Sequence, residues 1–185
     1  MEKSSKRAAI IVAGGTGTRF GGAIPKQFQL LHGKPLLCHT ISAFHANDPE
    51  MPLVVVLPEA HMDIWRTLCI GHGFLVPHTP VKGGEQRSHS VRNGLAALDG
   101  DPMVAVHDGA RPLITPSLIH RCFSEAERLG NAVPVVPITS SVRQLDDGRS
   151  TALDRSALRL VQTPQCFPAE VLRAAFALPY DPAFT

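Results

Sequence analysis

Two cations stand close behind a run of glycines near the start of the chain. The segment reads Ala13-Gly14-Gly15-Thr16-Gly17-Thr18-Arg19, and Lys26 follows in Pro25-Lys26-Gln27-Phe28. Glycines let backbone N–H groups converge on one anion, and such nests bind phosphates. Arg19 and Lys26 beside the nest suit a triphosphate whose charge rises at phosphorus during transfer. No G-x-x-x-x-G-K-S/T run occurs, so this is not a Walker loop. Gly15-Thr16-Gly17-Thr18-Arg19-Phe20 meets two glycines of the dinucleotide fingerprint and puts Phe20 at the third, which disfavours a dinucleotide site. The competing reading is a tight turn whose Arg19 and Lys26 face solvent.

A second candidate is His107-Asp108-Gly109-Ala110-Arg111-Pro112, where a carboxylate and a guanidinium follow a short apolar run. Asp108 and Arg111 can hold a phosphate and its metal, or form a surface ion pair of little consequence. Gly83-Gly84-Glu85-Gln86-Arg87-Ser88-His89-Ser90-Val91 is a third, although Ser90 also reads as an early helix residue. No Ser/His/Asp or Cys/His constellation offers a nucleophile. Four cysteines form no C-x-x-C pair and nine histidines form no H-E-x-x-H run, so neither a zinc site nor a disulfide framework is expected.

The elements that must position these residues alternate between strand and helix. Arg7–Val12 is an apolar run of the kind buried on both faces of a sheet. A helix is expected from Pro35, with Leu36, Leu37, Thr40, Ile41 and Phe44 on one face. Leu53–Leu57 is the clearest strand, followed by a helix over 60–70, a short strand over 74–77 and a loop over 80–84. Val91, Leu95 and Leu98 mark the next helix, and 103–106 the next strand. Thr115 and Pro116 start a helix with Leu118, Ile119, Cys122, Phe123, Ala126 and Leu129 on its apolar face, ended by Gly130. A strand over 132–136 comes next. A hairpin around Asp146-Asp147-Gly148 then forms an arm over about 139–155, and a last helix runs over 169–177. The pattern predicts a single domain over 1–185: a Rossmann-like three-layer αβα sandwich on a mostly parallel sheet, with a protruding β-arm. Ligands in such sheets bind at the carboxyl ends of strands, which selects the loops 14–26, 80–90 and 107–111.

Composition narrows the class. The chain has 185 residues, 44% hydrophobic and 18% charged, enough for a packed core. A net charge of +2 is too small to argue for a nucleic-acid partner. No apolar run approaches the roughly 20 residues that span a bilayer, so neither a membrane partner nor secretion is expected, and the cytoplasm is.

In this order, the glycine loop, Pro25-Lys26-Gln27-Phe28, the 83–91 segment, His107-Asp108-Gly109-Ala110-Arg111-Pro112, Asp154-Arg155 and Thr163-Pro164-Gln165 resemble the 2-C-methyl-D-erythritol 4-phosphate cytidylyltransferases, of the nucleotide-diphospho-sugar transferase fold. The resemblance runs from Arg7 over nearly the whole chain. It implies transfer of CMP from CTP to a sugar-alcohol phosphate with release of pyrophosphate and with Mg2+ as cofactor. Arg19 and Lys26 match the family's transition-state-stabilising pair. Ala13, Gly14, Gly15, Gly17 and Thr18 would shape the triphosphate nest, and Gly84, Glu85 and Ser90 would read the cytosine. Asp108 and Arg111 would hold the acceptor and the metal–phosphate region, Asp108 being the metal ligand, with Ser141 also on the acceptor. Arg155, on the arm, would position the acceptor. The family's arm exchanges between subunits, which implies a homodimer and an Arg155 that serves either its own or the neighbouring site.

The chain departs from the family pattern in places. Ser141 stands where Thr is usual, keeping the hydroxyl, and Arg143 stands for Lys, changing the donor geometry. Family members continue past Thr185 into a further strand and helix, so the resemblance implies that those elements lie beyond this sequence. Two alternatives stay open on the residues alone: a cytidylyltransferase for another acceptor such as ribitol 5-phosphate, and a form that binds CTP without turnover.

Overall fold

The computed structural model describes residues 7–15 and 24–179. In chain order its elements begin with β1 (Arg7–Val12), β2 (Leu30–Leu31), β3 (Lys34–Pro35), α1 (Leu36–Asn47), β4 (Leu53–Leu57), α2 (Met62–Gly71), β5 (Thr79–Lys82) and α3 (Arg87–Ala96). They continue with β6 (Met103–Asp108), α4 (Pro116–Leu129), β7 (Val135–Pro137), β8 (Val142–Asp146), β9 (Arg149–Leu153), β10 (Arg159–Val161), β11 (Gln165–Pro168) and α5 (Ala169–Phe176).

Five strands form the central sheet in the order β11-β6-β1-β4-β5. β1 lies between β4 and β6 and runs parallel to both, with Ala9 opposite Leu53 and Val12 opposite Asp108. β5 is parallel to β4, and β11 alone is antiparallel, pairing Gln165 with Val106. Side chains of successive strand residues point to opposite faces. Ala9, Ile11, Leu53, Val55 and Leu57 therefore pack with Leu37, Ile41 and Phe44 of α1, Trp65 of α2 and Ile119 and Phe123 of α4. Ala8, Ile10, Val54 and Val56 pack on the other face with Val91 and Leu95 of α3 and Leu172 of α5. The result is the expected α/β three-layer sandwich. Gly94 lets α3 lie close on the sheet, because a Cβ there would come 2.7 Å from Cγ2 of Ile10.

Several expected boundaries move. The helix expected from Pro35 starts at Leu36, with Pro35 as the residue before its first turn. No strand forms over 74–77. Phe74 instead turns its ring toward Trp65, with centroids 6.0 Å apart. The strand forms later, over Thr79–Lys82, inside the segment expected to be a loop. Pro80 is tolerated there because β5 is the sheet edge, where one face of the backbone needs no partner. The strand expected over 132–136 leaves the main sheet. Ala132 makes one bridge to Cys166, and β7 pairs with β10 in a separate two-stranded sheet. Leu129, expected on the buried face of α4, is 61% exposed. α4 itself has the expected ends: the Thr115 hydroxyl accepts from the Leu118 N–H, and Gly130 closes the helix at φ +90°.

The arm is a hairpin of β8 and β9, with Val142 opposite Leu153 and Asp146 opposite Arg149. Asp147 and Gly148 form its turn at φ 41° and 77°. Two consecutive positive φ values give the turn a twist that matches its strands, and Asp-Gly suits it.

Candidate active site

Three strand ends meet at one edge of the sheet. At the end of β1, the Ala13 N–H donates to the Val56 carbonyl at 2.8 Å, and Gly109 N–H to the Val12 carbonyl at 2.8 Å. The loops after β1 and β6 are thereby joined by backbone bonds. Thr40 of α1 adds a bond from its hydroxyl to the Gly109 carbonyl at 3.0 Å. The turn Lys26–Phe28 is anchored to the same place by Gln27, a buried side chain whose Nε2 donates to the Ala13 carbonyl at 2.9 Å. Lys26 is thus held beside the start of the glycine loop.

Among the described residues of that loop, Gly14 and Gly15 have no steric or conformational need to be glycine. Neither Gly14 nor Gly15 has a positive φ. Among the described residues, a Cβ on Gly15 would meet no atom within 4 Å, and one on Gly14 would make an ordinary 3.6 Å contact with Oγ of Ser90. No described residue crowds the place of their missing side chains, which suits close approach by a ligand to the backbone.

Opposite them lies the loop between β5 and α3. Gly83 N–H donates to the Leu57 carbonyl at 2.7 Å. Gly84 N–H donates to Oγ of Ser90 at 3.1 Å, and that hydroxyl lies 3.5 Å from the Gly84 carbonyl. Ser90 is buried at the start of α3 with its hydroxyl committed to the Gly84 backbone. Gly84 is sterically required, since a Cβ would fall 2.4 Å from Cβ of His89. Glu85 is exposed at the mouth.

Charge gathers at the end of β6. Asp108 accepts from Nε of Arg111 at 2.9 Å and from Nη2 of Arg87 at 3.2 Å. Arg111 also donates from Nη1 to Oε1 of Gln162 at 2.6 Å. Arg87 is the first residue of α3, directly after the loop that carries Gly84, so this carboxylate links the end of β6 to the end of that loop. Asp108 and Arg111 thus lie with the Gly84–Ser90 pair and the glycine loop along one sheet edge. Among the described residues, no group of three or more His, Cys, Asp or Glu side chains could hold a metal by itself. One hard carboxylate, Asp108, fits a magnesium ion whose other ligands are phosphate oxygens and water.

The remaining expected residues lie elsewhere. Ser141 is exposed immediately before β8. Arg155 does not sit on the arm's strands. It opens the short turn Arg155–Ala157 at the arm's base and donates to the Thr139 carbonyl. Among the described residues, neither makes a hydrogen bond to the Asp108 cluster. Gly17, Thr18 and Arg19 lie outside the described residues. Arg87, Gln162, Thr163, His107 and Gln27 were missed as individual site residues, although each stands inside or beside a motif already singled out.

The match to a family model spans residues 7–185, and the model describes 2-C-methyl-D-erythritol 4-phosphate cytidylyltransferase. The chain belongs to that family. It is a nucleotidyltransferase, specifically a cytidylyltransferase. A relative of that name from Bacteroides fragilis is 45% identical over 179 residues, covering 97% of this chain and 82% of the relative. One from Porphyromonas gingivalis is 46% identical over 180 residues, covering 97% and 80%. The crystal structure of the cytidylyltransferase from Thermus thermophilus is 32% identical, with a TM-score of 0.70 over 93% of this chain and 75% of that one. The 4-diphosphocytidyl-2C-methyl-D-erythritol synthase from Anaerococcus prevotii shares the cytidylyltransferase fold at a TM-score of 0.80 and 22% identity, covering 96% and 78%.

Proposed function

We propose that this chain transfers CMP from CTP to 2-C-methyl-D-erythritol 4-phosphate, giving 4-diphosphocytidyl-2-C-methyl-D-erythritol and pyrophosphate, in non-mevalonate isoprenoid biosynthesis. The observation that carries the reading is the family match over residues 7–185. The convergence of glycine loop, Gly84–Ser90 pair and Asp108–Arg111 cluster on one sheet edge supports it.

In this reading an oxygen of the acceptor phosphate attacks the α-phosphorus of CTP. The bond from that phosphorus to the bridging oxygen breaks, and pyrophosphate leaves with the electron pair. The acceptor phosphate is already ionised near neutral pH, so the protein needs to position and to stabilise charge rather than to remove a proton. Arg19 and Lys26 stabilise the transferring group. Ala13, Gly14, Gly15, Gly17 and Thr18 face the triphosphate. Gly84, Glu85 and the Ser90-tethered backbone read the base. Asp108 and Arg111 bind the acceptor, with Ser141 and Arg155 contributed from the arm of the same or the neighbouring subunit. Magnesium, when bound, neutralises triphosphate charge, and Asp108 is the carboxylate that would hold it.

The same reading includes a homodimer through the arm over about 139–155. It is supported by Leu145 and Leu153, 78% and 38% exposed on a hairpin that has few apolar contacts of its own. Exposed Val135, Val136, Leu160 and Val161 on β7 and β10 offer a second apolar strip. CTP as substrate supports a cytoplasmic location. No helix of the described residues is long and apolar enough to cross a membrane.

Pyrophosphate release from CTP against a panel of sugar-alcohol phosphates tests the function. Turnover with 2-C-methyl-D-erythritol 4-phosphate well above ribitol 5-phosphate is expected. The reverse order, or CTP binding without turnover of any acceptor, overturns it.

A further inference from the structure

We propose that His107 is a positioning residue for the acceptor half of the site, pinning the Asp108–Arg111 turn to the loop that carries Gln162 and Thr163. His107 is 1% exposed, and both its ring nitrogens are engaged. Nε2 lies 3.2 Å from the Arg111 carbonyl, and Nδ1 lies 2.8 Å from the Thr163 hydroxyl. A carbonyl can only accept, so Nε2 carries the proton and Nδ1 accepts from Thr163. The Thr163 oxygen in turn accepts from the Asp108 N–H at 3.4 Å. The donors run one way, from the Asp108 backbone through Thr163 to His107, and from His107 to the Arg111 backbone.

This chain reaches both residues of the acceptor pair without touching their side chains. It also fixes the loop whose Gln162 accepts from Arg111. The ring itself is located by Phe44 of α1, with centroids 5.2 Å apart. Buried ring nitrogens need partners in any case, and here the two partners lie on two separate loops, so satisfying the ring also ties those loops together. Loss of either partner would loosen the 108–111 turn against the 162–165 loop, leaving them joined through Arg111–Gln162 and the Val106–Gln165 pairing, while the glycine loop and the Gly84–Ser90 pair keep their own bonds. The predicted defect is therefore one-sided, falling on the acceptor and sparing CTP.

The inference rests on the proposed reaction, and the experiment separates the two. Wild-type turnover with 2-C-methyl-D-erythritol 4-phosphate tests the reaction. Thr163→Val removes the hydroxyl and Thr163→Ser keeps it. His107→Phe keeps the packing on Phe44 without either bond, and His107→Gln offers a donor and an acceptor in their place. Thr163→Val and His107→Phe each remove two bonds of this chain, and for both the acceptor KM rises about tenfold with the CTP KM within about twofold. Thr163→Ser stays near wild type, and His107→Gln recovers part of the loss. Amide hydrogen exchange rises in peptides covering 107–113 and 160–166 and not elsewhere, a readout that stands even where the acceptor has been misassigned. Unchanged exchange in both peptides of Thr163→Val, or acceptor and CTP KM rising together, overturns the inference. Should His107→Phe fail to fold, Thr163→Val probes the same link from the adjoining loop.

Discussion

The side-chain amide of Gln27 donates to the Ala13 carbonyl at 2.9 Å, fastening the turn that carries Lys26 to the strand end where the glycine loop begins. The bond joins the two directly, beside the packing of Phe28 and Ala13 in one core. Gln27→Leu keeps an apolar body in the buried site and leaves the carbonyl unpaired, costing about 1–3 kcal/mol of stability. Lys26 loses its fixed approach, and kcat is expected to fall about tenfold with a smaller change in CTP KM. Urea denaturation and steady-state kinetics on the same preparation check both. A stable variant with normal kcat would detach Gln27 from catalysis.

Arg19→Ala and Lys26→Ala each lower kcat by roughly a hundredfold, because one lost contact to charge developing at the transferring phosphorus costs about 3–4 kcal/mol. CTP affinity, measured by calorimetric titration, changes less. Near-normal kcat in either variant would remove that residue from the proposed pair.

Ser90→Ala unties the Gly84 backbone from α3. The hydroxyl is the side-chain link between these two, so the base-reading loop loses its set position. CTP KM rises roughly fivefold to tenfold, and the preference for CTP over UTP narrows. Competition between the two nucleotides at fixed acceptor measures this. An unchanged ratio would place base selection elsewhere.

Burial pushes the His107 imidazole down from its usual 6.5 to about 4, against smaller opposing effects of the Arg111 carbonyl and Asp108. The folded chain keeps it neutral while the unfolded chain takes up a proton below its ordinary pKa. Unfolding therefore becomes easier as pH falls from about 6.5 to about 4, and stability is fully present above that window. At about 1.4 kcal/mol per unit the loss is on the order of 3 kcal/mol. Denaturation midpoints at several pH values should show this slope, and His107→Phe should flatten it. An equal slope in that variant would assign the effect to other groups.

Leu145→Asp and Leu153→Asp place charge on the exposed apolar positions of the arm. A shift from dimer to monomer in sedimentation at micromolar concentration is expected, with the helical circular dichroism signal intact. A wild-type chain that sediments as a monomer would exclude the arm as a dimer contact at that concentration.

Legibility followed burial. β4 was plain because five consecutive apolar residues have no other stable place than the middle of a sheet. The Asp147-Gly148 turn was plain because its chemistry is local. β5 was hidden because it contains Pro80 and is exposed at three of its four positions, leaving neither periodicity nor propensity to read. Phe74 and Val76 misled for the opposite reason, being apolar residues that pack against the main core from a loop. Asp108 and Arg111 could be singled out because they follow an apolar strand. Their partners could not, because Arg87 meets Asp108 across 21 positions of sequence and Thr163 meets His107 across 56. Such pairs exist only once the topology is known.

The place of β1 in the middle of the sheet has a consequence for synthesis. It comes first among the strands of the described residues, yet Ala9 pairs with Leu53 and Arg7 with Met103. At about 5–20 residues per second, the ribosome needs on the order of ten seconds to deliver β6 after β1. Over that interval Ala8, Ala9, Ile10 and Ile11 have no complete sheet to enter. Codon-level changes that pause elongation between β4 and β6 are therefore expected to raise the misfolded fraction without altering any residue.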